Sequence, residues 1–364
     1  MRFDKNMIEG SVESVTDEML LLNPIETPLI NLLGFGDEVT NTEHAWYEDA
    51  PFAYETKAAA DESESGATVL SVASVGDLRV DDVLQNGGEQ ILITAIDKEA
   101  TTITVERAYG NTAVAPITAG KKLEVLFSET AEGQDFRPSR FKPRERLYNY
   151  TQIFDDTIEV TGTAQAVSQH GIDDLYEYEK QKKQLELGGQ LEKALINGIR
   201  FESPNGNVRM MGGLRYFAET VEKAEMTYED FVDVAQELYE QGAHSIDEHS
   251  YVIMVGEHQK RKLSRLNNDK VIIDRDDKKR GEVVSEIVTD FGVFPIVLNK
   301  NVASDEMFII DLDKISIHPL KGRSWQHKYL GKTGDKIAGQ IVGEYVLVAR
   351  HPQTMRHIKG LNRF

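Results

Sequence analysis

The stretch at positions 136–163 constrains the fold most, because a basic segment there runs directly into a strand-forming segment and then into a long helix-forming run. Between positions 137 and 146 the chain has five cations against one anion, Glu145. The cations are Arg137, Arg140, Lys142, Arg144 and Arg146. No residue arrangement suited to chemistry accompanies them. This order of segments predicts an extended arm, and with it a protein whose role is assembly.

The basic stretch is conspicuous because the whole chain has a formal net charge of -20. A positive strip on an acidic molecule complements an acidic surface on another copy, and such complementarity fixes register and partner choice. A solvated loop with scattered arginines is the plain alternative. Nucleic-acid binding is disfavoured, since holding a phosphate backbone usually takes a broad basic face on a basic domain.

Length and composition set the outer limits. The 364 residues exceed the size at which one hydrophobic core stops growing, so two or more domains are expected. No run approaches the roughly 18 apolar residues that cross a bilayer. The N-terminus has acidic residues before its short apolar run, which excludes a signal or transit peptide and indicates cytosolic synthesis. The lack of cysteine excludes disulfides and thiolate sites.

The first third of the chain predicts an arm and a β-rich insert. Residues 1–40 are expected to form an arm with a short helix, in which Thr27 is the N-cap and Pro28 the first helical residue. Residues 41–54 are extended in character, and residues 58–66 look like a linker. Short β-rich segments and glycines then predict a small inserted β-barrel or sandwich, with strands at 68–72, 90–96, 101–106 and 121–125. We interpret it as structural, with binding of a sugar or a decoration protein as the alternative.

Residues 172–197 predict one long helix of about 39 Å at about 1.5 Å per residue. Leu187, Leu191 and Leu195 form an apolar stripe, whereas 177–184 is almost wholly polar, so one half is expected to be exposed. The pair Gly188-Gly189 costs about 1 kcal/mol per glycine relative to alanine. This indicates close packing by another backbone or a bend, with a slightly weak surface helix as the alternative.

Residues 226–312 alternate between helix and strand, which predicts a separate α/β domain. The expected elements are a helix at 227–241, a strand at 250–255, a basic helix at 257–266, a loop at 267–281, and strands at 293–298 and 307–312. The remainder, 315–361, is strand-rich and includes a well-defined strand at 341–348. It is expected to return to the sheet that carries the long helix.

Candidate catalytic and metal motifs fail on inspection. Gly331-Lys332-Thr333 resembles the end of a phosphate-binding loop, but Gln326 occupies the position of the required earlier glycine. Three other candidates lack the neighbours or the spacing that their chemistry needs. They are the triplet Asp290-Phe291-Gly292, the pair His351 and His357, and the acidic group Asp274, Asp276 and Asp277. The sequence therefore predicts no enzyme, no catalytic residue, no cofactor and no metal site.

An ordered set of segments resembles the major head protein family of tailed bacteriophages, in its SU10-like branch. The segments are NPIETPLINLLG (23–34), NTEHAWYEDAP (41–51), RLYNYTQIFDDTIEVTGTAQAV (146–167), QLEKALING (190–198), MMGGL (210–214) and GDKIAGQIVGEYVLVARHP (334–352). The resemblance runs nearly end to end, and the ordered set is more specific than any one segment. It implies the Hong Kong 97 (HK97-like) phage capsid fold, of the α+β class.

The template also implies a division of the chain. The ranges are 1–40 for an N-terminal arm, 41–66 and 127–150 for an extended E-loop, 67–126 for an all-β domain inserted in the E-loop, 151–225 and 326–364 for a peripheral domain with its spine helix at 172–197, and 226–325 for an axial α/β domain. The insert departs from the minimal fold.

The resemblance implies a major capsid protein that self-assembles into an icosahedral or prolate head around double-stranded DNA. Expected partners are further copies in hexamers and pentamers, a portal, a separate scaffolding protein and a decoration protein. The net charge of -20 implies that packaged DNA is confined against repulsion, without sequence-specific binding. The expected location is the virion, after assembly in the host cytoplasm, with no membrane partner. We also expect the chain to keep its N-terminus during maturation.

The basic strip, defined as Arg137, Arg140, Lys142, Arg144 and Arg146, is expected to lie over the spine helix of a neighbouring copy. The acidic residues expected there are Glu177, Glu179 and Glu186. Three other classes stay open at this point: an encapsulin-like nanocompartment shell, a phage tail or adhesion protein, and, with least support, a hydrolase whose site forms from distant positions.

Overall fold

The computed structural model describes residues 27–49, 52–62, 66–133, 135, 142–167, 174–242, 250–265, 271–274 and 283–362. The chain divides into two compact units, a larger one of residues 1–46 and 146–364 and a smaller one of residues 47–145. Its α-helices are α1 (Pro28–Leu33), α2 (Gly162–Ala166), α3 (Leu175–Asn197), α4 (Leu214–Phe217), α5 (Tyr228–Glu240) and α6 (Glu257–Leu263).

The strands of the first half of the chain are β1 (Glu43–Glu48), β2 (Glu55–Lys57), β3 (Val69–Ser71), β4 (Asp82–Asn86), β5 (Glu89–Asp97), β6 (Thr102–Glu106), β7 (Lys122–Ser128), β8 (Glu145–Tyr150) and β9 (Gln152–Thr161). Those of the second half are β10 (Phe201–Glu202), β11 (Arg209–Met210), β12 (Glu219–Glu222), β13 (Tyr251–Val255), β14 (Val271–Asp274), β15 (Val283–Thr289), β16 (Gly292–Leu298), β17 (Glu306–Asp311), β18 (Ile315–Pro319), β19 (Gln326–Thr333), β20 (Lys336–Ala349) and β21 (Arg356–Lys359).

The central layer of the larger unit is a seven-stranded mixed sheet in the order β12-β21-β17-β13-β16-β15-β14. Every residue of β13 is buried, because successive side chains point to opposite faces and both faces are covered. Val252 and Met254 enter one core, which they share with α3. Tyr251 and Ile253 enter the other core, against α5.

A second sheet of the larger unit is built around the 14-residue strand β20. One side of β20 pairs with β9 over nearly its whole length, from Lys336 to Tyr345. Its other side pairs first with β19 and then with β18. Helix α3 packs on β9 and β20, so the predicted return of the chain to the sheet that carries the long helix is confirmed for β18–β20.

Helix α3 begins at Leu175 because Asp174 caps it, accepting the backbone N–H of Tyr176 at 2.9 Å. The predicted start at 172 lies outside the described residues. The apolar stripe Leu187, Leu191 and Leu195 is fully buried, whereas most of the preceding polar half is partly or fully exposed, as predicted. A Cβ at Gly188 would meet only the side chain of Thr27, at 3.9 Å, which is an ordinary contact, so the close packing by another backbone is not found at this position. The helix is continuous through the glycine pair.

The smaller unit is a six-stranded antiparallel sheet in the order β2-β7-β4-β5-β6-β3. A bridge between Ala58 and Val72 joins its two outer strands, so the sheet closes into a barrel with its own apolar core. A barrel was one of the two predicted forms, but β4 was not predicted. The linker prediction was wrong for residues 58–62, because Ala58 and Glu62 both pair with the barrel. The barrel strands also extend beyond the predicted limits of 67 and 126, since β2 and β7 belong to them.

The barrel contains a buried ion pair. Arg107 donates from Nε and Nη2 to the two carboxylate oxygens of Glu89, at 2.6 and 2.8 Å, and both side chains are almost fully buried. Glu89 also accepts the backbone N–H groups of Ala108 and Ala115. Burial alone would raise the pKa of Glu89, but these hydrogen bonds hold the pKa below its ordinary value.

Two predictions for the α/β region need correction. The loop expected at 267–281 contains β14, which pairs with the unpredicted strand β15. The domain is also not separate, because one face of its sheet shares a core with α3, and because β12 and β21, expected in the peripheral domain, complete this sheet. Sheet membership follows from pairing between segments over 100 residues apart, such as Glu219 with Arg356, which local patterns do not encode.

Candidate inter-subunit surfaces

Three residues of the basic strip lie in the described part of the chain, and each pairs with an acid of its own chain. Lys142 lies 3.6 Å from Asp77, and Arg144 lies 3.3 Å from Asp49. Arg146 pairs with Glu43 across the ribbon formed by β1 and β8. Arg137 and Arg140 lie outside the described residues.

The ion pairs of the basic strip contribute little to the stability of the chain. The side chains of Arg144 and Asp49 are 71% and 59% exposed, and exposed pairs contribute about 0.2–1 kcal/mol because water and salt screen them. A neighbouring copy could exchange such partners at little cost. Contact between the strip and another copy's helix therefore stays a prediction.

The acidic residues expected as partners lie on the polar half of α3. Glu177 pairs with Lys180 at 3.0 Å, and Glu186 pairs with Lys183 at 3.1 Å. Lys183 also reaches Asp156 of β9 at 2.9 Å, which lowers the pKa of Asp156. Glu179 is half-buried on the same stretch. The helix surface thus carries mixed charges, and its lysines already offset part of the acidity on which the predicted contact depends.

A buried carboxylate on α3 holds the arm helix α1. Glu192 is fully buried and accepts the backbone N–H groups of Leu29 and Ile30 at 2.8 and 3.0 Å. Its Oε1 also accepts Asn299 Nδ2 at 2.7 Å. One side chain therefore joins three segments that are distant in sequence: α1, α3 and the residue that follows β16.

Glu192 was not singled out from the sequence, although a signal exists. It follows Leu191 and precedes Ile196 by four positions, so a charged group sits on the apolar face of the helix. Burial raises the pKa of Glu192, while the three hydrogen bonds oppose that rise. Such a buried acid needs donors from elsewhere in the fold, and only the tertiary structure identifies them.

The surface of the larger unit also exposes apolar side chains near the C-terminal end of α3. Ile199, Phe201, Val208 and Met210 lie on or beside the hairpin β10–β11 and are 38–62% exposed. Exposed apolar groups that cluster in one segment are typical of protein–protein contact surfaces. This hairpin is a further candidate surface that sequence analysis did not identify.

The rejected chemical motifs lie at the following places in the fold, except Asp276 and Asp277, which lie outside the described residues. Lys332 lies within strand β19, and Asp290-Phe291 forms the turn between β15 and β16. His357 is buried and stacks on Phe308 at 4.5 Å between ring centroids. Among the described residues no group of three or more acidic, histidine or cysteine side chains is arranged to hold a metal ion. No helix in the same part of the chain is long and apolar enough to cross a membrane.

Comparison with known families decides between the remaining classes. The family model described as SU10 major capsid protein matches residues 3–362. The chain belongs to this family. It is a phage head shell protein, and copies of this capsid protein associate in the lattice that forms the shell of the virion. The family is a structural one, and it favours the capsid interpretation over the nanocompartment, tail and hydrolase classes.

Solved structures agree on the fold. The capsid protein matches a structure titled Microbacterium phage Oxtober96 with a TM-score of 0.53 and 11% identity, covering 96% of each chain. It matches Gordonia phage Cozz with a TM-score of 0.51 and 9% identity, covering 98% of this chain and 92% of the other. The capsid of a native GTA particle gives a TM-score of 0.53 and 7% identity, covering 98% and 97%. The fold is therefore HK97-like. No curated protein sequence is significantly similar to this chain.

Proposed function

We propose that this capsid protein builds its head lattice from hexamers and pentamers around double-stranded DNA. The observation that carries the proposal is the family match over residues 3–362. A shell needs many contacts that are modest singly and large in sum, and permanent interfaces commonly bury about 2,000–5,000 Å² in total. Extended arms supply such area without enlarging the core.

We assign roles to the segments on the family template. Residues 1–40, which include α1, act as the N-terminal arm, α3 as the spine of the peripheral domain, and the layer of α5 and α6 as part of the axial domain. The barrel is the insert of the E-loop, and the ribbon of β1 and β8 belongs to its base. Since the barrel has its own closed sheet and core, we propose a structural role for it.

The basic strip is proposed to contact the spine helix of a neighbouring copy. Support comes from the exposure of Arg144 and Arg146 and from the weakness of their pairs within the chain. Glu177, Glu179 and Glu186 are the proposed partners. This contact would form when the strip exchanges Asp49 and Glu43 for acids of the neighbour.

The other partners follow from the same function. A portal, a separate scaffolding protein and a decoration protein are expected, with assembly in the host cytoplasm. DNA is expected to be confined without sequence-specific binding, because the net charge of -20 opposes attraction to phosphates. We expect no catalytic activity, and a broad hydrolase screen of purified shells tests this.

The experiment is expression of the full chain with its morphogenetic partners, followed by electron microscopy and sedimentation. We expect closed shells from the wild type and at least a tenfold loss of shells from Arg144→Glu with Arg146→Glu. The control is Lys57→Glu with Lys98→Glu, which changes the net charge equally on exposed residues of the barrel unit.

The outcomes separate the two proposals. Normal shells from the strip variant would refute the role of the strip and leave the lattice function intact. A wild-type chain that stays monomeric at high concentration, with its partners present, would overturn the lattice function itself.

A further inference from the structure

Helix α5 presents a row of like charges to solvent. Its buried residues, among them Phe231, Ala235 and Leu238, face the sheet, so the opposite side is exposed. On that side Glu229, Asp233 and Glu237 follow one another at four-residue spacing. Like charges at this spacing repel and destabilise a helix by about 0.2–0.5 kcal/mol per pair.

The charge row of α5 is hardly neutralised within the described part of the chain. Glu237 lies 3.7 Å from Arg356, the only cation with which a member of the row forms an ion pair among the described residues. The surrounding segment 219–240 contains eight carboxylates and one lysine, Lys223. Lys223 pairs with Asp230, which is not in the row. The row therefore forms a concentrated negative surface.

Helix α6 presents the opposite row. Gln259 and Leu263 face inward, and Gln259 Nε2 donates to the carbonyl oxygens of Ser304 and Asn362. This anchoring directs Arg261 and Arg265, also four residues apart, into solvent. In the described part of the chain neither guanidinium takes part in a hydrogen bond or ion pair.

A recess beside α6 suits a protein partner. It has a volume of about 270 Å³, with Met226, Leu263 and Met307 among its lining residues and Lys262 and Arg265 on the same wall. A phosphate backbone gains nothing from apolar lining, whereas a side chain of a docked helix does. The four cations of α6 and its flank form too small a basic surface to hold a nucleic acid, and the net charge of -20 opposes such binding.

We propose that the acidic row of α5 in one copy pairs with Arg261 of α6, and with Arg265 two residues beyond its end, in the neighbouring copy. The inference rests on the proposed function, because it places this contact between subunits of the shell. The two surfaces are opposite in sign: three carboxylates on α5 face solvent, and so do the two guanidinium groups of Arg261 in α6 and Arg265 just beyond its end. The contact joins two different surfaces of one chain, and such head-to-tail contacts form a ring when the rotation between neighbouring copies closes.

The test compares charge reversals on the two helices. Arg261→Glu with Arg265→Glu, and separately Glu229→Lys with Asp233→Lys, should each reduce the yield of shells at least tenfold. All four substitutions together restore the pairing with reversed signs and should return the yield to within about threefold of wild type. Unchanged thermal unfolding of the subunits shows that each variant folds.

A matched control separates pairing from net charge. Glu229→Lys and Asp233→Lys combined with Lys57→Glu and Lys98→Glu also keep the net charge of the wild type, but leave two positive rows facing each other. We expect no rescue from this combination. Rescue equal to that of the fourfold swap would overturn the proposal, because net charge alone would then explain the result.

Two further outcomes would also overturn it. Normal shells from the α6 variant would show that its arginines do not form a subunit contact. The proposed shell function would be unaffected, because it is tested by the wild type. Normal shells together with lost binding of a 30-base-pair DNA duplex would identify α6 as a nucleic-acid surface. Failure of the wild type to form shells would instead count against the proposed function.

Discussion

The carboxylate of Glu192 accepts a hydrogen bond from the backbone N–H of Leu29 at 2.8 Å, although 163 positions separate the two residues. The contact fixes the start of α1 on α3. It also satisfies a donor that a helix N-terminus leaves without an intrahelical partner.

Removal of this carboxylate should destabilise the larger unit. Glu192→Ala leaves the buried N–H groups of Leu29 and Ile30 without their acceptor and opens a cavity, at a cost of about 2–4 kcal/mol in the free energy of unfolding. Urea denaturation at pH 7, followed by tryptophan fluorescence, measures it. Lys193→Ala, on the exposed side of the same helix, should change the free energy by less than about 0.5 kcal/mol.

The same carboxylate should make stability depend on pH. Its pKa in the folded state lies above the ordinary value of 4.5, so the folded protein retains a proton that the unfolded chain releases. The free energy of unfolding from this group therefore falls as pH rises from the unfolded pKa through the folded one. Glu192→Gln removes the titration, and the difference between the two proteins should change over that range. A constant difference from pH 4 to pH 8 would contradict the assignment.

Gly339 and Tyr176 should show strong energetic coupling. A Cβ at position 339 would clash with the Tyr176 hydroxyl, and it would also lie 2.8 Å from His327 Nε2, the hydrogen-bond partner of that hydroxyl. Gly339→Ala should cost about 2–3 kcal/mol through overpacking, and Tyr176→Phe about 1 kcal/mol through the lost hydrogen bond. Because the double variant lacks the clashing oxygen but keeps the imidazole, part of the overpacking is relieved, and its cost should be at least about 0.5 kcal/mol below the sum. Additive costs in chemical denaturation would refute the clash.

The capping box of α5 should make part of the stability sensitive to acid. Asp230 accepts the N–H and hydroxyl of Thr227 and pairs with Lys223, and its pKa is lowered from 3.8 to about 2. The contribution of this group is complete above the unfolded pKa and is lost as pH falls through the folded one. Asp230→Ala should therefore cost about 2 kcal/mol at pH 7 and about 0.5 kcal/mol at pH 2, where about half of the folded molecules still have this carboxyl ionised. Asp233→Ala, on the exposed side, should show no such loss.

The barrel should depend on its buried ion pair. Arg107→Met leaves the Glu89 carboxylate buried without its cation, at a cost of about 3–5 kcal/mol. Hydrogen exchange of the barrel amides reports this locally. Replacing Lys122 by Met breaks a pair with Glu55 in which the side chains are 54% and 48% exposed, and should change exchange little. Equal effects from the two variants would argue against a structural role for the buried pair.

Local patterns predicted the elements whose signal lies within a few residues. Helix α5 begins one residue after Thr227 because this residue forms a capping box at the N-terminus of the helix. The sequence alone predicted the helix at 227–241. The strand expected at 341–348 lies within β20 for a similar reason, since five of its eight residues are β-branched or aromatic. The short strand β14 escaped prediction because it lies in a charged stretch and depends on its pairing with β15.

For the candidate surfaces, too, some features could be predicted from the sequence and others became known only from the structure. The basic strip was visible as a run of cations, but its partners Asp77, Asp49 and Glu43 became known only from the structure. The rows on α5 and α6 combine both sources. Their spacing is in the sequence, and their exposure follows from which residues the sheet buries.

What the sequence by itself determined was the family and the order of segments, since periodicity, caps and an ordered set of similar stretches are properties of neighbouring residues. Tertiary structure alone decided the merging of the α/β layer with the spine helix in one core, the closing of the barrel between Ala58 and Val72, and the choice of Leu29 as the donor to Glu192. The physical reason is that a buried charge or strand edge is satisfied by whichever group the folded chain brings to it, and sequence distance does not limit that choice.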